Sequence, residues 1–292
     1  MKLFSGLSAF PITPATPDGD VIEADLRALI RRIAGAGADS IGLLGSTGTY
    51  LFLTREQRQR AIAIAVDAAE GLPIMAGVGA LRTDDAVDLA RDAALAGAAA
   101  LLLAPVSYNP LFEDEVYAHF AAVAGATDLP ICIYSNPTTT QFTFSPALVG
   151  RLAADLPTVS GIKLPLPRNG DIAADLAAFR AAAPELSIGY SADWGLKDAL
   201  LAGADCFYSV AAGLFPERAV ALARAATQGD RAEADRLDAD FAPLWDLFRA
   251  WGGLRVAYAA ANRLGLTSAQ PPRPILPLDE GLVGPVAEAL AG

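Results

Sequence analysis

The sequence has few of the residues that build metal centres and disulfide scaffolds. Its 292 residues include two cysteines and one histidine. Cys132 and Cys206 both lie in apolar segments, which favours core packing in a reducing compartment over a disulfide framework. Metal sites usually combine several His, Cys, Asp or Glu side chains, and no cluster with ligand spacing is present. We therefore expect no metal, no other cofactor and a cytoplasmic location.

The single histidine also restricts nucleophilic catalysis. A Ser-His-Asp arrangement would have to use His119, which lies in a segment of helical character. We interpret His119 as a residue of a helix surface or of helix packing.

Long apolar runs and basic residues are also scarce. No apolar run reaches the roughly 18 residues of a membrane span, and the segment MKLFSGLSAFPITP lacks the apolar region of a signal peptide. The 33 acidic and 22 basic residues give a net charge of −11, which disfavours nucleic acid and anionic membranes as partners. The composition predicts a soluble protein, and an anionic substrate would need local donors to offset this charge.

Apolar β-type segments alternate with Ala-rich helical segments, such as the predicted helices Glu23–Ala36 and Glu113–Ala124. Strands are predicted at residues 7–13, 40–45, 73–79, 99–105, 130–135, 159–165, 186–192 and 205–210. This count, and the lack of a G-x-G-x-x-G motif after the first strand, favour a (β/α)8 TIM barrel over an open doubly wound sheet. We predict the barrel over residues 1–227 and a C-terminal helical extension over residues 228–292.

One lysine stands near the end of an apolar strand. The segment 158–165, TVSGIKLP, places Lys163 close to the carboxyl end of the sixth predicted strand. Burial removes the water that stabilises an ammonium ion, and a neutral amine is the nucleophile that forms Schiff bases. The alternative is that the strand ends at Ile162 and Lys163 points into water.

Polar stretches follow other predicted strands. In a (β/α)8 barrel the catalytic groups lie at the carboxyl ends of the strands, and these ends carry GSTG at 45–48, VSYN at 106–109 and YSNP at 134–137. The GSTG turn offers hydroxyls and N–H groups to a carboxylate, and a tyrosine beside the lysine could relay protons. Taken singly, Tyr134 and Tyr108 could be structural aromatics; on one rim with Lys163 they indicate a shared function.

These motifs resemble those of a known family. Gly45-Ser46-Thr47-Gly48, Ile133-Tyr134-Ser135-Asn136-Pro137 and Gly161-Ile162-Lys163 occur in the order and at the separations found in the dihydrodipicolinate synthase / N-acetylneuraminate lyase superfamily of class I, Schiff-base-forming aldolases. The resemblance covers nearly the whole chain. It implies a homotetramer built as a dimer of dimers.

The resemblance also implies residue roles. Lys163 would form the imine with pyruvate or another 2-keto acid, and Tyr134 would relay protons beside it. Ser46 and Thr47 would bind the keto-acid carboxylate, and Ser46 would join the relay. A tyrosine after the fourth strand would enter the neighbouring subunit's site; Tyr108 is the best candidate, although its loop is longer than the usual pattern.

The sequence departs from the synthase members at pocket positions. Thr139 stands where they carry an arginine, so a guanidinium that would pair bidentately with a carboxylate is missing. Thr49 replaces a glutamate, Ser191 a glycine and Tyr208 an aliphatic residue. We assign Thr139, Ser191 and Tyr208 to substrate binding and predict a remodelled pocket around a retained imine site.

The resulting hypothesis is a lyase or aldolase that makes or breaks a carbon–carbon bond between pyruvate and an aldehyde, on a 2-keto-3-deoxy sugar acid or a related 2-keto acid. The alternatives are 4-hydroxy-tetrahydrodipicolinate (dihydrodipicolinate) synthase and a 2-keto-acid dehydratase of the same superfamily. An alternative of another class is a catalytically inactive 2-keto-acid-binding homologue.

Overall fold

Short apolar segments form the strands of this chain. The computed structural model describes residues 3–291. Each strand pairs in parallel with the next, and the last pairs with the first, which closes the barrel. The predicted (β/α)8 TIM barrel is confirmed. Its strands are β1 Gly6–Ala9, β2 Ser40–Leu43, β3 Ile74–Gly77, β4 Ala100–Leu103, β5 Ile131–Tyr134, β6 Val159–Leu164, β7 Ser187–Ser191 and β8 Cys206–Ser209.

Helices follow the strands on the outside of the barrel, and three more follow the last of them. They are α1 Glu23–Ala36, α2 Arg55–Ala68, α3 Thr83–Leu95, α4 Glu113–Ala124, α5 Pro137–Thr140, α6 Pro146–Asp155, α7 Ile172–Ala182, α8 Leu196–Leu201, α9 Pro216–Thr227, α10 Arg231–Trp251, α11 Gly253–Arg263 and α12 Glu280–Ala291. The division into a barrel and a helical extension stays a prediction. Within residues 3–291, no helix is both long and apolar enough to cross a membrane.

The strands are shorter than the sequence predicts, for local reasons. The sequence predicts a first strand that reaches Thr13, but β1 ends at Ala9. Pro11 follows almost at once, and proline has no N–H to donate to a ladder. The second predicted strand reaches Gly45, but β2 ends at Leu43 because Leu44 takes a left-handed conformation, with φ of 58°.

Glycines on the strands make room for aromatic rings inside the barrel. A Cβ atom at Gly42 would lie 2.1 Å from the Phe10 ring, and one at Gly189 would lie 2.6 Å from the Tyr208 ring. Both distances are well inside van der Waals contact. The rings of Phe10 and Tyr208 therefore occupy space that only glycine leaves open on the facing strand.

The C-terminal helix α11 contacts the barrel near the carboxyl end of β1. The Tyr258 hydroxyl on α11 donates a hydrogen bond to the Thr13 carbonyl at 3.2 Å. Thr13 lies four residues after the end of β1. This contact fixes α11 against the loop that leads out of the first strand.

Candidate active site

Lys163 lies on β6 and is buried inside the barrel. Its residue is 6% exposed, and β6 continues to Leu164. The alternative in which the strand ends at Ile162 and the lysine points into water is therefore wrong. The Nζ atom lies 4.3 Å from the ring centroids of both Phe10 and Tyr134, and 5.9 Å from that of Tyr208.

Tyr134 is brought beside Lys163 by the strand register. The two residues are partners across β5 and β6, so their side chains lie on the same face of the sheet. The Tyr134 hydroxyl lies 3.0 Å from Ser46 Oγ, and Asn136 Nδ2 donates to it at 3.2 Å. Asn136 Nδ2 also lies 3.4 Å from Ser46 Oγ, so the three side chains form one hydrogen-bonded group.

The electrostatics of this group favour proton transfer. Burial acts to raise the pKa of Tyr134, but the charge of Lys163 and the hydrogen bonds from Ser46, Asn136 and Lys163 outweigh it. The pKa of Tyr134 consequently lies below its usual value. A phenol shifted in this direction exchanges a proton more readily near neutral pH.

A tight turn after β2 presents Ser46 to Tyr134. The Thr49 N–H donates to the Ser46 carbonyl at 3.1 Å, and Thr49 itself has φ of 55°. A Cβ atom at Gly48 would approach the backbone of Leu44 to 3.1 Å. The small residues of the GSTG motif thus allow the turn to close tightly, with Thr47 buried within it.

The predicted pocket residues divide into two groups. Tyr208 is buried, and its ring joins the cluster around Lys163. Thr139 and Ser191 direct their hydroxyls to backbone carbonyls: Thr139 Oγ1 donates to Asn136 O at 3.3 Å and Ser191 Oγ to Leu164 O at 3.1 Å. Thr139 is exposed and Ser191 is half-buried.

Tyr108 lies apart from this cluster. Its side chain is 86% exposed on the loop between β4 and α4, and its carbonyl accepts a hydrogen bond from Gln141 Nε2 at 3.4 Å. Within one chain, Tyr108 is not among the rings around the Lys163 amine. Its entry into a neighbouring subunit's site stays a prediction.

The Cys132 thiol anchors the Tyr208 side chain. Its hydroxyl lies 3.4 Å from Cys132 Sγ. Burial raises the pKa of the Cys132 thiol to about 12, against the lowering effects of the Tyr208 hydrogen bond and the Lys163 charge. Burial likewise raises the pKa of Tyr208 well above its usual value. Both groups stay protonated, and Cys132 is a buried free thiol, as the sequence predicts.

Asp193 joins the rims of β7 and β8. Its carboxylate accepts hydrogen bonds from Ser209 Oγ at 2.6 Å, Ala211 N at 2.8 Å and Val210 N at 3.2 Å. Burial raises the pKa of Asp193 by more than these hydrogen bonds and the charge of Lys163 lower it. The carboxyl thus ties the segment after β7 to the end of β8.

His119 is a packing residue outside the site, as predicted. It is buried on α4, and its Nδ1 lies 3.0 Å from Thr83 Oγ1 at the start of α3. Burial lowers the pKa of His119 to about 4.

The sequence motifs assign no role to Phe10, Asn136 or Asp193. Asn136 lies within the YSNP motif and could have been considered as a partner of Tyr134. Phe10 and Asp193 carry no such signal, because their contacts with β6 and β8 bring together residues far apart in the chain.

The arrangement provides the parts needed for imine chemistry. A buried amine is a group that can act as a nucleophile, and a hydrogen-bonded phenol beside it can deliver a proton to a departing hydroxyl. The rings of Phe10, Tyr134 and Tyr208 lie around the nitrogen. Asn136 and Ser46 hold the phenol in place and connect it to the turn after β2.

Comparison with known proteins agrees with this chemistry. The chain matches the Dihydrodipicolinate synthetase family over residues 3–290. It is 33% identical over 283 residues to 4-hydroxy-tetrahydrodipicolinate synthase of Alkalilimnicola ehrlichii, covering 95% of this chain and 94% of the relative.

Solved structures resemble it over a similar extent. The crystal structure of dihydrodipicolinate synthase from Agrobacterium tumefaciens is 57% identical with a TM-score of 0.94, covering 99% of this chain and 97% of that one. A prophage protein of the dihydrodipicolinic acid synthase family from E. coli K12, solved in complex with pyruvate, is 27% identical with a TM-score of 0.90, covering 99% and 98% of the two chains.

Proposed function

Because the chain belongs to the dihydrodipicolinate synthetase family and is a carbon–carbon lyase of the class I aldolase type, we propose that Lys163 forms an imine with pyruvate. The enzyme then makes or breaks a carbon–carbon bond between pyruvate and an aldehyde. The observation that carries the proposal is the buried Lys163 amine beside the hydrogen-bonded Tyr134 phenol. The pyruvate complex of the E. coli relative supports the choice of keto acid.

Each residue has a defined task in the proposed reaction. The neutral Lys163 amine attacks the keto carbon of pyruvate and forms a carbinolamine. Tyr134 gives a proton to the carbinolamine oxygen, which leaves as water while the iminium forms. Ser46 passes the replacement proton along its hydrogen bond to Tyr134.

The iminium then acts as the electron sink of the carbon–carbon step. In the cleavage direction, the proton of the C4 hydroxyl passes to the Tyr134–Ser46 relay, which gave up a proton when the carbinolamine lost water. The electrons of the C3–C4 bond move toward the nitrogen, an enamine forms and the aldehyde departs. Protonation of the enamine at C3 and hydrolysis release pyruvate and the free lysine. Ser46 and Thr47, in the turn after β2, bind the pyruvate carboxylate through hydroxyl and N–H groups.

For the aldehyde partner we propose a polyhydroxylated chain, so that the full substrate is a 2-keto-3-deoxy sugar acid or a related 2-keto acid. Thr139 supports this choice, because it offers an exposed hydroxyl where a guanidinium would be needed to pair with a second carboxylate. Ser191 adds a further hydroxyl at the carboxyl end of β7, whereas the Tyr208 hydroxyl is held at Cys132 inside the barrel.

The second candidate is 4-hydroxy-tetrahydrodipicolinate synthase. The names of the relatives from Alkalilimnicola ehrlichii and Agrobacterium tumefaciens favour it. The synthase would condense the pyruvate enamine with an aldehyde that carries a carboxylate, and the lack of an arginine at position 139 weighs against it. Both candidates share the imine at Lys163.

Borohydride trapping tests the shared step. The chain contains three lysines, Lys2, Lys163 and Lys197. Incubation with pyruvate and borohydride should add a reduced pyruvate adduct to the tryptic peptide that contains Lys163. The peptides that contain Lys2 and Lys197 should carry no adduct. No adduct with pyruvate or any other 2-keto acid would disprove the imine mechanism.

Lys197 provides the matched control. It is held by Asp235 at 2.8 Å and Asp238 at 3.4 Å, and the hydrogen bond with Asp235 raises its pKa, so its amine stays protonated. The Lys197→Arg variant should therefore form the reduced pyruvate adduct normally, whereas the Lys163→Ala variant should form none.

Turnover then separates the two candidates. Pyruvate release from 2-keto-3-deoxy sugar acids, measured with coupled lactate dehydrogenase, should greatly exceed pyruvate consumption with aspartate semialdehyde. The reverse ranking would identify the synthase. Trapping without turnover on either panel would favour the inactive binding homologue.

We also propose a cytoplasmic homotetramer in which Tyr108 enters the site of a neighbouring subunit. The exposed position of Tyr108 on its loop supports this role. Tyr108→Phe and Lys163→Ala variants, each impaired alone, should recover activity when refolded as mixed oligomers. Absence of recovery from mixed oligomers would refute the exchange of Tyr108 between subunits.

A further inference from the structure

The buried Lys163 amine forms no ion pair with a carboxylate of residues 3–291. In this part of the chain the lysine ion pairs belong to Lys197, which has three aspartates within 4.0 Å. Asp193 interacts electrostatically with Lys163, but its oxygens already accept hydrogen bonds from the β8 rim. Asp193 therefore supplies negative potential only from beyond ion-pair distance, and burial of a charge without an ion pair is strongly unfavourable.

Aromatic faces surround the nitrogen instead. Phe10 and Tyr134 have their centroids 4.3 Å from Lys163 Nζ, and Tyr208 lies at 5.9 Å. All three distances fall within the range of about 6 Å over which a ring face attracts a cation. Phe10 and Tyr208 meet edge to face, with centroids 5.8 Å apart and planes at 87°, so they form two perpendicular walls.

The two walls are fixed by the residues behind them. Phe10 fits over Gly42 and Gly45, where added Cβ atoms would lie 2.1 and 2.8 Å from its ring. Tyr208 fits over Gly189 in the same way, and its hydroxyl is anchored at Cys132. Rings held this tightly need no reorganisation when charge develops next to them, which is the condition for strong electrostatic stabilisation.

We propose that the ring faces of Phe10 and Tyr208 bind the positive charge of the Lys163 nitrogen and stabilise the iminium formed with a 2-keto acid. This inference rests on the proposed imine mechanism. Attack of the neutral amine on the keto carbon, uptake of one proton and loss of one water leave a single positive charge on the nitrogen. The rings favour this cationic iminium over the neutral carbinolamine that precedes it and the neutral enamine that follows it.

Phe10 is accordingly assigned a catalytic role that no sequence motif indicates. Tyr134 takes part in proton transfer and cannot report on the ring effect alone. Tyr208 carries a hydroxyl that complicates its substitution. Phe10 has only its ring, so its electrostatic contribution can be varied without changing its hydrogen bonds.

Fluorinated phenylalanines at position 10 test the proposal. Successive fluorine atoms remove negative potential from the ring face and change its size little. Proteins with 4-fluoro-, 3,5-difluoro- and 3,4,5-trifluorophenylalanine at this position should show a stepwise decrease in the rate of pyruvate-dependent borohydride trapping at Lys163. The free energy of cation–π contacts of this kind corresponds to a total decrease in the trapping rate of about 2- to 30-fold.

The same series at Phe144 is the control. Phe144 is also buried, but it packs against Phe120 and Phe142, with centroids 5.8 and 5.0 Å away, and not around Lys163. Fluorination there should leave trapping unchanged. Tyr208→Leu should lower the trapping rate further than Tyr208→Phe does, because the first removes the ring and the second keeps it.

The outcomes separate the two proposals. Equal trapping rates across the Phe10 series, in proteins with the melting temperature of the parent, would overturn the role of the ring faces. A decrease that does not follow the number of fluorine atoms would attribute the effect to shape and would also overturn it. Failure of the unmodified enzyme to trap pyruvate would instead disprove the proposed function.

Discussion

Acidification should destabilise the fold through its single histidine. His119 is 8% exposed between α3 and α4, and burial lowers its pKa from the ordinary 6.5 to about 4. Between these two values the unfolded chain binds a proton on this side chain and the folded chain does not. Stability contributed by the neutral imidazole is therefore fully present above pH 6.5 and is lost as the pH falls toward 4.

The two pKa values set the size of the effect. A tenfold difference in proton affinity between the folded and unfolded chains corresponds to about 1.4 kcal/mol, so the full loss below pH 4 amounts to roughly 3 kcal/mol. Between pH 7 and pH 5, the same relation gives a decrease in the free energy of unfolding of about 2 kcal/mol. Titrating carboxylates add their own pH dependence, so this quantity has to be measured as a difference between two proteins.

His119→Gln is the matched variant, because glutamine keeps a polar group opposite Thr83 and does not titrate. Denaturant unfolding of both proteins, without a histidine tag, should give stability curves that diverge by about 2 kcal/mol between pH 7 and pH 5. The single histidine also gives one imidazole resonance, whose NMR titration reads the folded-state pKa directly. Parallel stability curves, or a folded-state midpoint near 6.5, would refute the reasoning.

The catalytic and packing residues give further predictions. Tyr134→Phe should lower kcat in a steady-state assay by about a hundredfold or more, because the proton relay is lost. Tyr117 is the control: its hydroxyl binds Asp155 on the surface, so Tyr117→Phe should not change kcat. Gly189→Ala should reduce the free energy of unfolding by about 1–3 kcal/mol, since its Cβ atom would lie 2.6 Å from the Tyr208 ring. A Cβ atom at Gly35, on an open face of α1, would have nothing within 4 Å, so Gly35→Ala should instead raise the free energy of unfolding by up to about 1 kcal/mol. Equal effects of the two glycine variants in urea unfolding would contradict the packing argument.

Local signals in the sequence locate the helices α1 and α4. Both Glu23–Ala36 and Glu113–Ala124 have the bounds predicted for them, because each begins with acidic residues that favour a helix N-terminus. Strand ends were predicted less well. Leu44 leaves the extended conformation to form the tight turn at Gly45, and composition does not reveal such a change of backbone direction.

The candidate site was predictable where its residues lie in motifs. The order of the strands alone places Lys163 and Tyr134 on one rim, and their register makes them neighbours. The ring of Phe10 could not be assigned in this way. It reaches Lys163 across the barrel interior, and that contact depends on the absence of a side chain at Gly42, a residue with no chemistry of its own.

The matching of rings to glycines also limits how this pocket can change in evolution. A larger residue at Gly42 or Gly189 collides with a ring, and a smaller residue at Phe10 or Tyr208 leaves a void that costs about 3–5 kcal/mol for loss of an aromatic side chain. Neither single substitution is readily tolerated, so a new pocket shape requires that a ring and its facing glycine be substituted together. A library that varies Phe10 together with Gly42 should therefore yield folded enzymes with altered substrate preference far more often than one that varies each position alone, because the atoms nearest to a Cβ atom at Gly42 all belong to the Phe10 ring.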